Sequence, residues 1–266
     1  LNELKKENNK LNFDAFHVNY GLRKESDNDQ KFVEKICKDL KINLITKDVK
    51  KENINFKSKS EDDLRKIRYD LISSHILETD SDYLITAHNL NDHIETFIMK
   101  LTRGTGLKGM EGLRYSTVIN EFKDLRIIRP LIGIKKDELI DYCYLKNVQP
   151  VIDVTNYENK HSRNRIRNNV IPELEKLNSD FLNTINRLTN LVSEINIYQN
   201  KVIQKKYEKI KIFENKNIIS LSRNKFNLLD NFEKKILLKS KCESFSKDVF
   251  IENKHLEILI EKCLSN

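Results

Sequence analysis

The chain has 266 residues, 38% of them hydrophobic and 33% charged, a balance that suits one substantial α/β domain plus a smaller unit with heavily charged surfaces. No apolar run approaches the roughly 20 residues a bilayer crossing needs, and the first residues lack a signal-peptide core. Both points argue against a membrane partner or export and set a cytoplasmic expectation. The net charge of +8 is uneven: Thr155 onward carries 21 Lys and Arg against 14 Asp and Glu, leaving +1 for residues 1–154. A basic second half suits a polyanion, although a coding bias toward Lys and Asn produces the same asymmetry. Cys37, Cys143, Cys242 and Cys263 are scattered and never form C-x-x-C, which favours small structural side chains in a reducing compartment.

In chain order, Leu1–Lys10 reads as the end of a helix, and Phe13–Asn19 as a short strand closed by a turn at Gly21. Phe32, Val33, Ile36 and Leu40 fall at spacings of three and four, which predicts an amphipathic helix over 26–40. Ile42–Val49 is a second strand. Glu61–Leu77 is a helix whose apolar stripe is Leu64, Ile67, Leu71 and Ile72. Tyr83–Ala87 is a third strand, followed by a helix holding Ile94–Leu101. Strands that are continuous apolar runs, alternating with helices, predict a parallel sheet covered on both faces.

Four of the six glycines lie in Arg103–Gly112, a predicted loop. Ser116–Phe122 and Leu125–Ile128 are set to pair as a hairpin around Lys123-Asp124, and Pro130 precedes a helix over 135–146. From Ser162 the pattern is helical, interrupted near its start by Pro172. A long helix over about 181–210 leads to a Lys-rich helical end. The expected division is a first domain over 1–178, a linker helix over 179–212 and a small, mainly helical domain over 213–266.

Four polar clusters are candidates for chemistry. His17-Val18-Asn19-Tyr20-Gly21-Leu22-Arg23 closes a predicted parallel strand, where ligands of open α/β sheets lie, but taken alone it is better explained by an ordinary strand-to-helix turn. The second, Thr86–Thr96, also starts at a strand's carboxyl end. Asp92 and Glu95 are three apart, so both carboxylates project from one face of a first helical turn. There they suit an ammonium group or a nucleotide's Mg²⁺, and the helix macrodipole is the competing explanation. His88 and His93 are five apart, which is the wrong spacing for a helical zinc pair. In the third cluster, Arg103, Gly104 and Lys108 belong to a Gly-rich loop suited to phosphate, although it matches neither a Walker A nor a Rossmann fingerprint. In the fourth, Arg163-Asn164-Arg165-Ile166-Arg167 puts two like charges at i, i+4, which destabilises a helix unless an anion offsets them. A phosphate fits, and so does a carboxylate such as Asp153 or Glu158.

Taken in order, HVNYGLRKESDNDQ, LITAHNLNDHIETFIMKLTRGTGLKGMEGL, IIRPLIGIKKDELIDYC and DVTNYENKHSRNRIRNNVIPEL resemble the tRNA(Ile)-lysidine synthetase family, in register from about Leu1 to Leu177. HNLNDHIETFIMKLTRGTG is the most specific stretch, and the likeness beyond Leu177 is looser. The resemblance implies a Rossmann-like adenine nucleotide α-hydrolase (PP-loop) fold followed by a helical domain that contacts tRNA. It implies ATP, with Mg²⁺, adenylating the wobble cytidine of a tRNA(Ile) with a CAU anticodon. The ε-amine of free L-lysine then attacks C2, forming lysidine and changing codon reading from AUG to AUA.

On this resemblance Asp92, Glu95 and Arg103 are catalytic, with the carboxylates receiving the lysine ammonium. His17, Asn19, His88, Arg103 and Gly104 serve ATP, and Lys108, Arg163, Arg165 and Arg167 serve tRNA. No protein metal cage is implied. Two departures stand out: Asn91-Asp92-His93 replaces the usual Asp-Asp-Gln, and Tyr20 replaces a His. The family's Ser-Gly-Gly-x-Asp-Ser loop occurs nowhere in these residues. The resemblance therefore implies a PP-loop domain lacking its first strand and loop, with a gap in the sheet. A chain so cut is expected neither to bind ATP nor to fold stably by itself.

Overall fold

The computed structural model describes residues 1–8, 10–22, 25–51, 60–149, 162–245 and 252–264. The chain divides into two compact units, residues 1–99 with 112–182, and residues 100–111 with 183–266. This division differs from the 178 and 212 boundaries in two ways. The Gly-rich segment joins the second unit, and the long helix is that unit's own scaffold from Asn183 onward.

In the first unit, α1 (Asn2–Glu7), β1 (Ala15–Asn19), α2 (Ser26–Asp39), β2 (Leu44–Asp48), α3 (Glu61–Glu78), β3 (Leu84–Ile85) and α4 (Leu90–Thr102) follow the predicted order, with α4 running on into the second unit. After the second unit's Gly-rich segment come β4 (Ser116–Ile119), β5 (Leu125–Ile128) and α6 (Lys136–Leu145). Ser60 caps α3, its Oγ accepting the Asp63 N–H at 3.2 Å. The predicted parallel strands are present, but among the described residues they form two sheets. β1 pairs with β2 in parallel, while the second sheet has the order β3-β5-β4, parallel between β3 and β5 and antiparallel between β5 and β4. Residues Asn120–Phe122 form a 3-10 turn and both Lys123 and Asp124 take positive φ, which closes the predicted hairpin.

Helix α3 packs across both sheets. Its Tyr69 and Ile72 are buried with Leu125 and Ile127 of β5, and Phe16 of β1, Leu84 of β3 and Ile119 of β4 pack against them. The buried side chains of α3 are Tyr69, Ile72 and Ser73, with half-buried Ile76 packed against them; of the predicted stripe Ile72 is buried, while Leu64, Ile67 and Leu71 are half-buried. Tyrosine reads as polar in the pattern, yet its ring supplies the largest apolar area on that face.

The helical segment from Ser162 is α7 (Ser162–Arg165), a π-helical turn over Ile166–Val170 and α8 (Ile171–Leu177). Pro172 does not break it. It sits in the first turn of α8, where no intrahelical N–H is required.

In the second unit, α5 (Leu107–Met110) turns part of the predicted Gly-rich loop into a helical turn. Helix α9 (Phe181–Ile210) carries buried Thr189, Val192, Asn196, Ile203, Tyr207 and Ile210 at spacings of three, four and seven. The mainly helical end also contains an antiparallel hairpin, β6 (Lys211–Glu214) with β7 (Ile219–Leu221), before α10 (Arg223–Asn227), α11 (Asn231–Phe245) and α12 (Asn253–Leu264). Asn215 makes the turn, its Oδ1 accepting the N–H groups of Asn217 and Ile218. The core here is Ile203, Tyr207, Ile210, Phe226 and Leu237, with Ile219 and Leu221 of β7 against it.

Candidate active site

The carboxyl ends of β3 and β5 lie side by side, because Thr86 N–H continues their pairing onto the Ile128 carbonyl at 3.0 Å. The chain then enters α4 through a reciprocal cap. Asn89 Oδ1 accepts the Asp92 N–H and Asp92 Oδ2 accepts the Asn89 N–H, both at 3.1 Å. The segment after β5 wraps this helix start: Leu90 donates to the Ile134 carbonyl, and Asn91 Oδ1 accepts the Lys136 N–H at 2.9 Å. Asn91 thus has a structural task that needs no charge.

Glu95 follows one turn later with its side chain 0% exposed. Its neutralising charges come from some 70 residues further along the chain. Arg163 Nε donates to Glu95 Oε2 at 2.7 Å, Arg167 Nε to Oε1 at 2.6 Å and Arg167 Nη2 to Oε2 at 2.9 Å. Asp92 Oδ1 receives Nη2 of Arg163 at 3.3 Å and of Arg167 at 3.4 Å. The four groups sum to zero charge, which makes burial of Glu95 tolerable. The like-charged arginine pair therefore has carboxylate partners, and these are the two carboxylates expected to receive an amine. Asp153 and Glu158, the alternatives weighed from sequence, and Arg23 lie outside the described residues.

His88 stands beside the cluster with Nδ1 2.8 Å from Thr86 Oγ1. Burial, reinforced by Arg129, Arg163 and Arg68 against the opposing Asp92, pushes its pKa down to about 4, so the ring is neutral at physiological pH. His93 is buried and structural: its Nδ1 accepts the Leu113 N–H at 3.0 Å, and a Cβ at Gly112 (φ +63°) would meet its ring at 2.7 Å. Among the described residues no three His, Cys, Asp or Glu side chains gather in a metal-binding group.

The loop after β1 is organised differently. Asn19 is buried, its Nδ2 donating to Asp27 at 3.0 Å and Gln30 at 2.9 Å while its Oδ1 accepts the Gly21 N–H at 2.8 Å. Both N–H groups of that amide and one lone pair of its oxygen are engaged within the turn. His17 is half-buried, and burial lowers its pKa against the pull of Asp29 and Glu34. Tyr20 donates to the Leu64 carbonyl at 2.9 Å.

Arg103, Gly104 and Lys108 belong to the second unit. Arg103 is exposed, Gly104 takes φ +74° in the turn after α4, and Lys108 pairs with Glu243 at 3.2 Å. Arg165 is exposed beside the two paired arginines of its helix.

Three cations escaped the sequence reading. The guanidinium carbons of Arg65 and Arg68 lie 5.2 and 5.7 Å from the centroid of buried Tyr69. Arg129 follows β5 directly and is 2% exposed. Its Nη1 donates to the Arg114 carbonyl at 2.9 Å and Thr117 Oγ1 at 3.0 Å, and its Nε has no partner. Burial lowers its pKa as well. Among the described residues none of these three guanidiniums forms an ion pair. Positive charge at the carboxyl end of parallel strands suits nucleotide phosphates. Arg65 and Arg68 sit at i, i+3, so the like-charge argument applied to Arg163 and Arg167 would have found them.

The fold and site define a class of α/β proteins with parallel strands and charged side chains gathered beyond their carboxyl ends. The profile of the PP-loop domain matches residues 1–174, and the chain belongs to that ATP-using family. The chain is 31% identical over 262 residues to a tRNA(Ile)-lysidine synthase from Clostridioides difficile, covering 97% of this chain and 55% of that protein. It is 34% identical over 250 residues to the tRNA(Ile)-lysidine synthase of Clostridium perfringens, covering 92% and 52%. The chain thus spans about half the length of the curated relatives it matches. Among solved structures it is similar to a U34-tRNA thiolase from Methanococcus maripaludis that carries a [4Fe-4S] cluster. The TM-score is 0.60 and the identity 20%, over 72% of this chain and 65% of that one. That likeness concerns the fold.

Proposed function

We propose that this chain carries the catalytic residues of a tRNA(Ile)-lysidine synthase. The reaction is ligation of lysine to C2 of the wobble cytidine in a tRNA(Ile) with a CAU anticodon. ATP supplies the activation: the C2 oxygen takes the adenylyl group and pyrophosphate leaves. The lysine ε-amine then forms the C–N bond at C2, loses a proton, and AMP departs with the oxygen. The lysidine product reads AUA in place of AUG.

The observation that carries this reading is the four-charge cluster at the start of α4, in a PP-loop chain whose relatives bear that name. A carboxylate in water's reach next to arginines suits an ammonium meeting a phosphorylated group. Asp92, 20% exposed, is the carboxylate within an amine's reach, whereas Glu95 is fully buried and holds Arg163 and Arg167. Arg65, Arg68 and Arg129 supply cationic charge for phosphates, and neutral His88 offers hydrogen bonds without adding charge. Exposed Arg103 and Arg165, with Lys108, are assigned to the adenylate and the tRNA backbone. The basic second half of the sequence favours the tRNA as the macromolecular partner.

The test mixes transcribed tRNA(Ile) (CAU), ATP and labelled lysine with the chain, alone and joined to a strand and loop bearing Ser-Gly-Gly-x-Asp-Ser. Lysine incorporation that depends on Asp92 and Arg103 supports the synthase. Tight tRNA binding without incorporation in either form would sink it in favour of a non-catalytic tRNA-binding protein.

A further inference from the structure

The two carboxylates of the cluster grip the arginines unequally. Glu95 is sealed from water and accepts both Nε groups at 2.6 and 2.7 Å, within the range of strong charge-assisted bonds. Asp92 is partly exposed and reaches only the Nη2 groups, at 3.3 and 3.4 Å, and that of Arg167 also donates to Glu95 Oε2 at 2.9 Å. The arginines themselves are 23% and 26% exposed, so one side of the cluster faces water and the other does not. A buried pair that loses one partner leaves an unpaired charge in a poor solvent, whereas a partly exposed contact exchanges at little cost. Glu95 therefore fixes the planes of both guanidiniums through Nε. Asp92 is the member that can let go.

Two kinds of ligand would exploit this. An ammonium at Asp92 neutralises the carboxylate and weakens its hold on the two Nη2 groups. A phosphoryl oxygen at those Nη2 groups displaces Asp92 and leaves the carboxylate seeking a cation. Either ligand alone must break the Asp92 contacts, and the second to arrive finds them already broken. We infer that Asp92 is an exchangeable latch on an arginine pair fixed by Glu95, so that a primary ammonium and a phosphoryl anion bind the cluster cooperatively. This rests on the proposed meeting of an amine and a phosphorylated group at this site. Glu95 is on this account a positioning residue that acts through Arg163 and Arg167. For a ligation, the latch commits the arginines to phosphate oxygens only once the amine is in place.

The experiment is calorimetric titration of the chain with inorganic pyrophosphate, with and without saturating L-lysine, repeated with butylamine, which carries only an alkylammonium. L-lysine should tighten pyrophosphate binding by roughly five-fold or more, and pyrophosphate should tighten lysine binding by the same factor, because coupling is reciprocal. Asp92→Asn keeps an oxygen for the helix cap but removes the carboxylate charge that competes with an anion for the Nη2 groups, while Arg167 Nη2 still donates to Glu95. It should bind pyrophosphate several-fold tighter than the unmodified chain without amine and lose the coupling, a gain that misfolding cannot produce. Asp92→Ser should move the same way, and Glu95→Gln should weaken pyrophosphate binding. Absence of pyrophosphate binding, absence of coupling in the unmodified chain, or Asp92→Asn binding no tighter than the unmodified chain would each overturn the latch. Coupling with butylamine but no lysine incorporated into tRNA would leave the latch standing and remove the synthase reading. Incorporation without coupling would do the reverse.

Discussion

The loop after β1 and the loop after β3 look alike in sequence, each a run of His, Asn and small residues at the carboxyl end of a parallel strand. In the structure they have opposite fates. The β1 loop closes on itself: the Asn19 amide is engaged by Asp27, Gln30 and Gly21, all within eleven residues of it. The β3 loop instead presents carboxylates whose partners, Arg163 and Arg167, come from a helix some 70 residues later and stay partly open to water. Polar residues at a strand end become a site when distant charge completes them and solvent still reaches part of the group. When near neighbours engage the polar groups, they make a turn.

Substitutions can break or sharpen this contrast. The largest effect is expected at Glu95, where Ala leaves two partly buried guanidiniums facing each other with only the longer Asp92 contacts between them. Chemical denaturation should show a loss of about 3–5 kcal/mol, the cost of stranding buried charge. Replacing Asn19 by Ala removes three hydrogen bonds from the β1 loop and should cost about 1–3 kcal/mol by the same measurement. Pyrophosphate affinity of the folded fraction should stay unchanged; a large drop would show that this loop, too, contacts anions.

His88 adds a pH signature to the second loop alone. Its pKa falls from 6.5 to about 4 on folding, so the unfolded chain binds the extra proton first. Stability from this group is intact above pH 6.5 and is lost progressively as pH falls toward 4. A pH series of thermal melts on His88→Gln should show a shallower decline across that window than the parent chain; matching slopes would refute the assignment. The smallest effect is expected at Lys108, whose ion pair with Glu243 is solvent-exposed. Lys108→Ala should shift stability by under about 1 kcal/mol. A clear fall in tRNA affinity with a smaller salt slope would still place it against phosphate.

Much of the fold is legible in the chain itself. The period-3.6 stripes locate α2 and α9, and the continuous apolar runs locate β1, β2 and β3. Lys123-Asp124 marks the β4–β5 turn because both residues tolerate positive φ there. Errors came where a residue's class hides its role. Tyr69 counts as polar and so was left out of the inferred face of α3. Pro172 counts as a breaker but occupies the one helical turn that tolerates it. The second unit's hairpin was missed because β6 and β7 are only four and three residues long, too short for alternation to register.

The pairing of Asp92 and Glu95 on one helix face follows from their spacing alone, and so does the need of Arg163 and Arg167 for an anion. Those are local facts, fixed by helical geometry and like-charge repulsion over one turn. That each pair answers the other's need was decided only when the chain folded, as was the separate gathering of Arg65, Arg68 and Arg129 around Tyr69. Coulombic partners some 70 residues apart leave no periodic trace in a sequence. What joins them is the cost of burying a charge unpaired, and that cost arises only once water has been excluded.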